Sequence, residues 1–258
     1  MTELSLGNQS VKIDKGELVG YVVTGHQFIH QKGSPGWRNA DTEMFPVIGP
    51  TNEANFRVAT PKGDAVQDQH GLLREMVYEE KHQTTTKAVF EKGYKAHTQV
   101  KNSKFPVKST EVQLTWPYDF QFQKSFELKE DGLEVVFTIT GEVGMPFMLG
   151  YHPAFNLTTS NPVITTSKGS VTLDEVMAVG SRAFHVADCE KILLKDEKSL
   201  EITTEGFGNF MLWTEVSNMV CIEPISFYPY AVPQNQLHLG FEELSEEPKI
   251  FKVLLKPL

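Results

Sequence analysis

Cysteine is scarce in this chain of 258 residues, which contains only Cys189 and Cys221. Two thiols are too few to organise a fold of this size, so a disulfide framework is excluded as its organising principle. The composition therefore predicts a protein of a reducing compartment.

Long apolar runs are also missing. The first ten residues lack the basic start and apolar stretch of a secretory signal. No run elsewhere reaches the length that a helix needs to cross a bilayer. We therefore expect a soluble, cytoplasmic protein.

Basic residues are outnumbered, with 24 Lys and Arg against 33 Asp and Glu and a net charge of −9. Binding to nucleic acid or to an anionic membrane needs a basic surface, which this balance argues against. A small anionic ligand remains compatible, because a single arginine can hold a phosphate in an acidic protein. The expected partner is a small molecule bound by a monomer or homodimer.

The short motifs of metal, serine-hydrolase and phosphate-loop sites do not occur either. There is no Cys-x-x-Cys, His-Glu-x-x-His, Gly-x-Ser-x-Gly or Gly-rich phosphate loop. His26 and His30 are four residues apart, but Gly25 and the turn residues at 32–35 argue against a metal-binding helix. The sequence predicts no metal and no cofactor.

Alternation of apolar and polar residues is the dominant pattern. Leu133, Val135, Phe137 and Ile139 would line one face of a strand, as expected for a half-buried sheet. Asp131-Gly132 before them predicts a tight hairpin turn with positive φ angles. Further strands are expected at residues 17–23, 111–116, 199–203, 209–213, 219–222 and 250–255, with one short helical turn at 187–194. The prediction is an all-β fold, one antiparallel β-sandwich domain spanning residues 1–258.

Three segments place ionisable residues in unusual backbone contexts. They are residues 69–74 (QHGLLR), 149–156 (LGYHPAFN) and 221–224 (CIEP). His152 and Glu223 each precede a proline, which favours extended backbone and removes one ladder donor, so both are expected at strand ends or irregular edges. Each residue alone is more often a structural histidine or a solvated carboxylate, and Arg74 alone is compatible with a surface ion pair. The coincidence of the three segments favours a site.

In order along the chain, these segments and two others resemble those of the aldose 1-epimerases, the galactose mutarotase-like proteins. The branch with hexose-phosphate-type and uncharacterised bacterial members is the most similar. The matching segments are residues 45–49 (FPVIG), 70–74 (HGLLR), 116–120 (WPYDF), 145–155 (MPFMLGYHPAF) and 221–224 (CIEP). The resemblance implies a large twisted antiparallel β-sandwich with the sugar in a cleft on one face.

The resemblance also implies roles for individual residues. Glu223 would act as the general base on the anomeric hydroxyl, and His152 as the general acid on the ring oxygen. His70 would hydrogen-bond the ring oxygen or a neighbouring hydroxyl, and Arg74 would orient the sugar or contact a phosphate. Asp188 would match the family's sugar-binding aspartate. Opening the ring, rotating about C1–C2 and closing the ring again would interconvert the α and β anomers of an aldohexose or a hexose 6-phosphate. These roles require a protonated His152 beside an ionised Glu223, a state that mutual proximity favours.

Two departures from the family pattern concern the substrate. Many relatives carry an arginine directly after the segment that ends here at Gly49, whereas this chain has Pro50-Thr51, and Arg57 is the candidate replacement. Ile225 follows Glu223-Pro224, where an aromatic or small residue is usual.

Three other functions fit the same residues. A non-catalytic carbohydrate-binding protein would share the scaffold, but both His152 and Glu223 are present. A glycoside hydrolase would need a second carboxylate, which no equally distinctive segment supplies. A metal-dependent β-barrel enzyme would need ligands that the motif pattern does not provide.

Overall fold

The computed structural model describes residues 1–258, and its regular structure is almost entirely antiparallel β. One short α-helix, α1 (Leu173–Val179), and five 3-10 helices (Asn52–Ala54, Leu73–Glu75, Gly180–Arg182, Pro229–Ala231 and Gln234–Gly240) interrupt the strands. The strands in chain order are β1 (Thr2–Leu6), β2 (Gln9–Asp14), β3 (Glu17–Val23), β4 (His26–Gln27), β5 (Glu43–Met44), β6 (Arg57–Val58), β7 (Ala65–Val66), β8 (Glu79–Gln83), β9 (Lys87–Tyr94), β10 (Val100–Lys101), β11 (Gln113–Leu114), β12 (Phe120–Lys129), β13 (Gly132–Gly141), β14 (Pro146–Phe147), β15 (Gly150–Tyr151), β16 (Ala154–Asn156), β17 (Val163–Thr166), β18 (Gly169–Thr172), β19 (Phe184–Val186), β20 (Lys191–Lys195), β21 (Leu200–Glu205), β22 (Asn209–Trp213), β23 (Met219–Ile225), β24 (Glu242–Glu243) and β25 (Lys249–Pro257). None of the helices is long and apolar enough to cross a membrane.

A nine-stranded sheet forms one layer, in the order β18-β17-β20-β21-β25-β13-β12-β9-β8. The β12–β13 hairpin lies beside the central strand β25, and in it Leu133 and its three alternating apolar partners are fully buried, as the pattern predicts. The predicted turn is wrong in detail, because Lys129 pairs with Gly132 and the turn residues are Glu130 and Asp131. Gly132 is needed for another reason: a Cβ there would lie 2.3 Å from the Leu255 carbonyl oxygen of the adjacent strand.

A six-stranded sheet packs against this layer. Its order is β19-β22-β23-β15-β5, with β16 also paired to β23. Aromatic contacts join the layers: Tyr151 stands against Phe137 with ring centroids 5.0 Å apart, and Phe45 against Phe122 at 5.2 Å. The main buried apolar cluster contains 60 residues and runs from the first strand to the last. The predicted all-β antiparallel sandwich is confirmed.

A buried ion cluster also ties the two layers together. Lys124 of β12 donates to Asp41 at 2.7 Å and to Glu43 of β5 at 2.6 Å, and all three side chains are at most 3% exposed. The Tyr151 hydroxyl donates to the same Asp41 carboxylate at 2.7 Å. Thr42, between the two acids, is thereby fixed against the large sheet.

Two local predictions from the sequence differ from the structure. Residues 187–194 form no helical turn; they lead into β20, because the apolar residues there alternate along a strand that pairs with β17 and β21. Helix α1 is absent from the sequence-based prediction; it spans only seven residues and begins with a capping box between Thr172 and Glu175. The strand expected at 111–116 is limited to β11.

Candidate active site

His152 and Glu223 face each other across two paired segments. Gly150 pairs with Ile225 and Ala154 with Cys221, so the same antiparallel register sets His152 opposite Glu223. Residues directly opposite in such a pair have side chains within contact distance. The imidazole Nε2 lies 3.5 Å from a Glu223 carboxylate oxygen, and both side chains are at least nine-tenths buried.

The proline after each of these residues has a different structural effect. His152-Pro153 interrupts the edge between β15 and β16, as the pre-proline geometry predicts. Glu223, in contrast, lies inside β23, so the prediction of a strand end is wrong for this residue. β23 tolerates Pro224 because its ladder with β15 and β16 is interrupted at this position, so that no residue of either strand is paired with the proline.

His70 lies in a left-handed turn that is hydrogen-bonded to Gly49, the last residue of the segment 45–49. Gly49 and His70 exchange backbone and side-chain hydrogen bonds, with the Gly49 N–H donating to His70 Nδ1 at 3.2 Å. The neutral ring therefore carries its proton on Nε2. Gly71 follows at φ +76°, and a Cβ on it would lie 2.2 Å from the Phe45 carbonyl oxygen. The His70 ring meets the His152 ring edge to face at 5.8 Å.

Arg74 reaches the same place from the 3-10 helix Leu73–Glu75. Its Nη2 donates to Thr42 Oγ1 at 2.8 Å, and the Thr42 backbone exchanges two hydrogen bonds with His152. No carboxylate lies within 4.0 Å of the guanidinium. A largely buried cation without an ion-pair partner is suited to bind an anion or a hydroxyl group of a ligand.

Burial dominates the proton affinities of the pair. Loss of solvent raises the pKa of Glu223 to about 8, against the opposing effect of the Arg74 charge. Loss of solvent, reinforced by Arg74, lowers the pKa of His152 to about 3. The sequence-based expectation that proximity makes His152 basic and Glu223 acidic is therefore reversed in the free protein. Burial therefore favours the state in which the pair shares one proton and the carboxyl carries it.

A cavity of about 540 Å³ opens onto the pair. Its lining includes residues that sequence reasoning missed: Trp37, Arg38, Asn39, Lys108, Trp213 and Tyr230. The Trp37 indole stacks flat on the His152 ring, with centroids 4.3 Å apart and planes 16° from parallel. These side chains come from loops and strand ends that carry no ionisable motif. The one sequence feature that could have pointed to them is Trp37, directly after the Gly-Ser-Pro-Gly turn at 33–36.

Two other candidates lie outside the cavity. Asp188 is in a left-handed bend, its side chain is 91% exposed, and it pairs with Lys168 at 3.3 Å. Its assignment as a sugar ligand is therefore not supported by its position. Arg57 pairs with Glu111 at 3.2 Å and does not line the cavity, so it does not replace the missing arginine. Arg38 and Arg74 are the arginines that do.

One group of potential metal ligands coincides with the site. The ligand atoms of His152, Cys221 and Glu223 all lie within 4.8 Å of one another, and all three residues are buried. The three do not form a sequence motif, because they come from two separate segments that the sheet brings together.

Comparison with known proteins agrees with this arrangement of strands and side chains. The sequence profile of the aldose 1-epimerase family matches residues 55–208, more than half of the chain. Among curated proteins no sequence matches. A galactose mutarotase-like protein from Lactobacillus casei superposes with a TM-score of 0.79 at 17% identity, with 100% of both chains covered. A galactose mutarotase related enzyme from Lactobacillus acidophilus has the same score and identity, covering 98% of this chain and 96% of its own.

A putative aldose 1-epimerase from Escherichia coli superposes with a TM-score of 0.74 at 12% identity, covering 100% of this chain and 98% of its own. These structural likenesses define the fold as a galactose mutarotase-like β-sandwich. The chain belongs to the aldose 1-epimerase family and is an enzyme of the epimerase type that acts on sugars.

Proposed function

We propose that this enzyme interconverts the α and β anomers of an aldohexose, by proton transfers between the sugar and the pair His152–Glu223. The observation that carries the proposal is the 3.5 Å contact between imidazole and carboxylate at the base of a sugar-sized cavity. One group to accept a proton and one to donate it are what ring opening requires, each contributing roughly 10²–10⁴-fold in rate.

The reaction starts when the single proton of the pair moves from Glu223 to His152 across the 3.5 Å contact. The ionised Glu223 then takes the proton of the anomeric hydroxyl while the protonated His152 donates its proton to the ring oxygen. The open-chain aldehyde rotates about C1–C2, and ring closure on its other face returns both protons. With the sugar opened, the pair is a neutral carboxylic acid beside a neutral imidazole. Burial favours these neutral forms of Glu223 and His152, so the dry site stabilises the protonation state that is present with the open-chain intermediate.

His70 and Arg74 orient the sugar in this scheme. In the neutral tautomer set by the Gly49 N–H, His70 has its proton on Nε2, which lies 3.2 Å from the Gln69 side-chain amide, so a sugar oxygen would replace Gln69 as the partner of Nε2. Arg74 adds a fixed positive charge, held by Thr42, close to the Glu223 carboxylate. Donors and charges held in place before the reaction stabilise charge that develops during it.

A hexose 6-phosphate is the substrate form that the cavity supports best. Arg38, Arg74 and Lys108 bring three cationic side chains to its lining, against the carboxylates of Glu215 and Glu223. A phosphate dianion pairs well with guanidinium groups, which offer fork-shaped donors.

Anomer exchange measured by NMR on glucose, galactose and their 6-phosphates tests the proposal. We expect the enzyme to accelerate exchange, most strongly for a 6-phosphate, and an equal rate for free and phosphorylated sugars would remove the phosphate assignment. Folded protein that accelerates no sugar would indicate a non-catalytic carbohydrate-binding protein instead.

We also propose that residues 1–258 act as one domain in the cytoplasm, as a monomer or homodimer. Both cysteines are free and buried, which suits a reducing compartment. Light scattering of the purified protein measures its mass and separates the two oligomeric states.

A further inference from the structure

Cys221 has no function in the proposed anomer exchange, yet it lies beside His152 and Glu223, the two groups that we assign to that reaction. Cys221 and Glu223 are two residues apart in β23, so their side chains point to the same face. Cys221 is fully buried, and its thiol makes no hydrogen bond, whereas Cys189 Sγ donates to the Lys191 carbonyl at 3.1 Å. The Cys221 thiol is thus a buried sulfur without a polar partner except the catalytic pair.

The spacing of the three side chains suits a thiophilic cation. Bonds of about 2.0–2.3 Å to nitrogen, oxygen and sulfur place ligand atoms about 3.3–3.7 Å apart around a tetrahedral zinc ion. His152 Nε2 and the Glu223 oxygen, 3.5 Å apart, already match this distance. The sulfur lies within 4.8 Å of one ring nitrogen of His152 and of one carboxylate oxygen of Glu223, so an ion between the three would need side-chain rotations to bring the sulfur to bonding distance.

The surroundings also favour such an ion. A thiolate and a carboxylate would neutralise its two positive charges, which offsets repulsion from Arg74. Trp37 and Trp213 pack against the small apolar cluster that contains Cys221 and also line the cavity. His152 and Glu223 line the same cavity, so an ion held by them would be reached from that side and would keep a fourth position for water or a sugar hydroxyl.

We propose that His152, Cys221 and Glu223 form a binding site for Zn²⁺ or a similar thiophilic cation, and that the bound ion inhibits the enzyme. Binding replaces the S–H bond by a sulfur–metal bond and releases the thiol proton to solvent, with no change of oxidation state. It occupies the lone pair of His152 and the carboxylate of Glu223, so neither can transfer a proton to the sugar. This inhibition rests on the proposed function, whereas binding itself does not.

Titration of the whole protein with Co²⁺ tests the site without any sugar. A thiolate-to-cobalt charge-transfer band in the near ultraviolet is expected for the wild type and for Cys189→Ser, the matched control at the other buried cysteine. The band should be lost in Cys221→Ser and in Cys221→Ala, two variants that differ in size and polarity. No band with folded wild type, or an unchanged band in both Cys221 variants, would overturn the proposal.

Zn²⁺ inhibition of anomer exchange provides the second measurement. Each variant is compared with its own rate in a chelator. We expect the Zn²⁺ concentration for half-inhibition to stay at the wild-type value in Cys189→Ser and to rise at least about tenfold in Cys221→Ser. Losing a residue that only supports a metal ligand typically weakens binding roughly 10–100-fold, and losing the ligand itself weakens it more. Equal inhibition of all three proteins would place the inhibitory ion elsewhere.

Discussion

Lys124 bridges two buried carboxylates, Asp41 and Glu43, and replacing it with methionine leaves Asp41 without an ion-pair partner. In the native protein its ammonium group donates to Asp41 and Glu43 at 2.7 and 2.6 Å, with no exposure to solvent. Removing one partner of a buried ion pair costs about 3–5 kcal/mol, since the remaining charge has neither water nor a counter-ion. Lys92 stays 3.7 Å from Glu43, so Asp41 bears most of the loss.

Thermal unfolding followed by circular dichroism measures this cost. A chain of this size loses roughly 2–4 °C in Tm per kcal/mol, so Lys124→Met should melt about 6–20 °C lower. The matched control is Lys129→Met, which removes a surface pair with Glu134, 2.7 Å long, and should cost no more than about 1 kcal/mol.

The loss should depend on pH in a definite direction. Without Lys124, the pKa of Asp41 is expected to rise further above the value of about 6 that burial already gives it, and above its unfolded value. A raised carboxyl pKa makes the folded state bind more protons, so the penalty is largest above that pKa and shrinks as the pH falls through it. Equal stability of wild type and Lys124→Met at about pH 8 would refute the view that this cluster ties the layers together.

Three further predictions concern the site. Gly71→Ala should destabilise the protein by more than Gly63→Ala. Both residues have positive φ, which strains an alanine by about 1–2 kcal/mol, but only the new Cβ at position 71 would meet a carbonyl oxygen, at 2.2 Å. Equal melting temperatures of the two variants would contradict this. In a chelator, the exchange rate should fall as the pH rises through about 8, the pKa of Glu223, because the pair then loses its one proton; the same fall in Glu223→Gln would assign it to another group. Arg74→Lys should raise KM for a hexose 6-phosphate about tenfold and that for the free sugar less, because a charge-assisted hydrogen bond is lost; equal changes in steady-state KM would exclude phosphate contact.

Strand periodicity is the feature that the sequence predicts most reliably. The alternation around Leu133 and Phe137 determines which face of β13 is buried, because successive side chains of a strand point to opposite sides. Turn chemistry is less decisive. Asp131-Gly132 suits a two-residue turn, yet the turn lies one residue earlier, because the close approach of β25 requires the glycine at the first paired position.

The proposed catalytic pair is visible in the sequence as two pre-proline residues, but the geometry of the pair is not. The contact depends on the register between β15–β16 and β23, which are far apart along the chain. Local pattern cannot supply this register, and it cannot show that Trp37 covers His152 or that Asp188 points into solvent. The directions of the two pKa shifts cannot be predicted from local pattern either, because burial of both groups outweighs the mutual attraction that the sequence suggests.

Exchange NMR on one sugar tests the proposed role of Glu223, with wild type and Glu223→Gln compared at equal concentration in a chelator. The substituted amide would keep the size and one acceptor oxygen of the native side chain but neither accept nor release a proton at neutral pH. We expect the enzyme-dependent rate of α–β exchange to fall roughly 10²–10⁴-fold while the variant remains folded. Equal rates for the two proteins would contradict this expectation and remove Glu223 from the reaction.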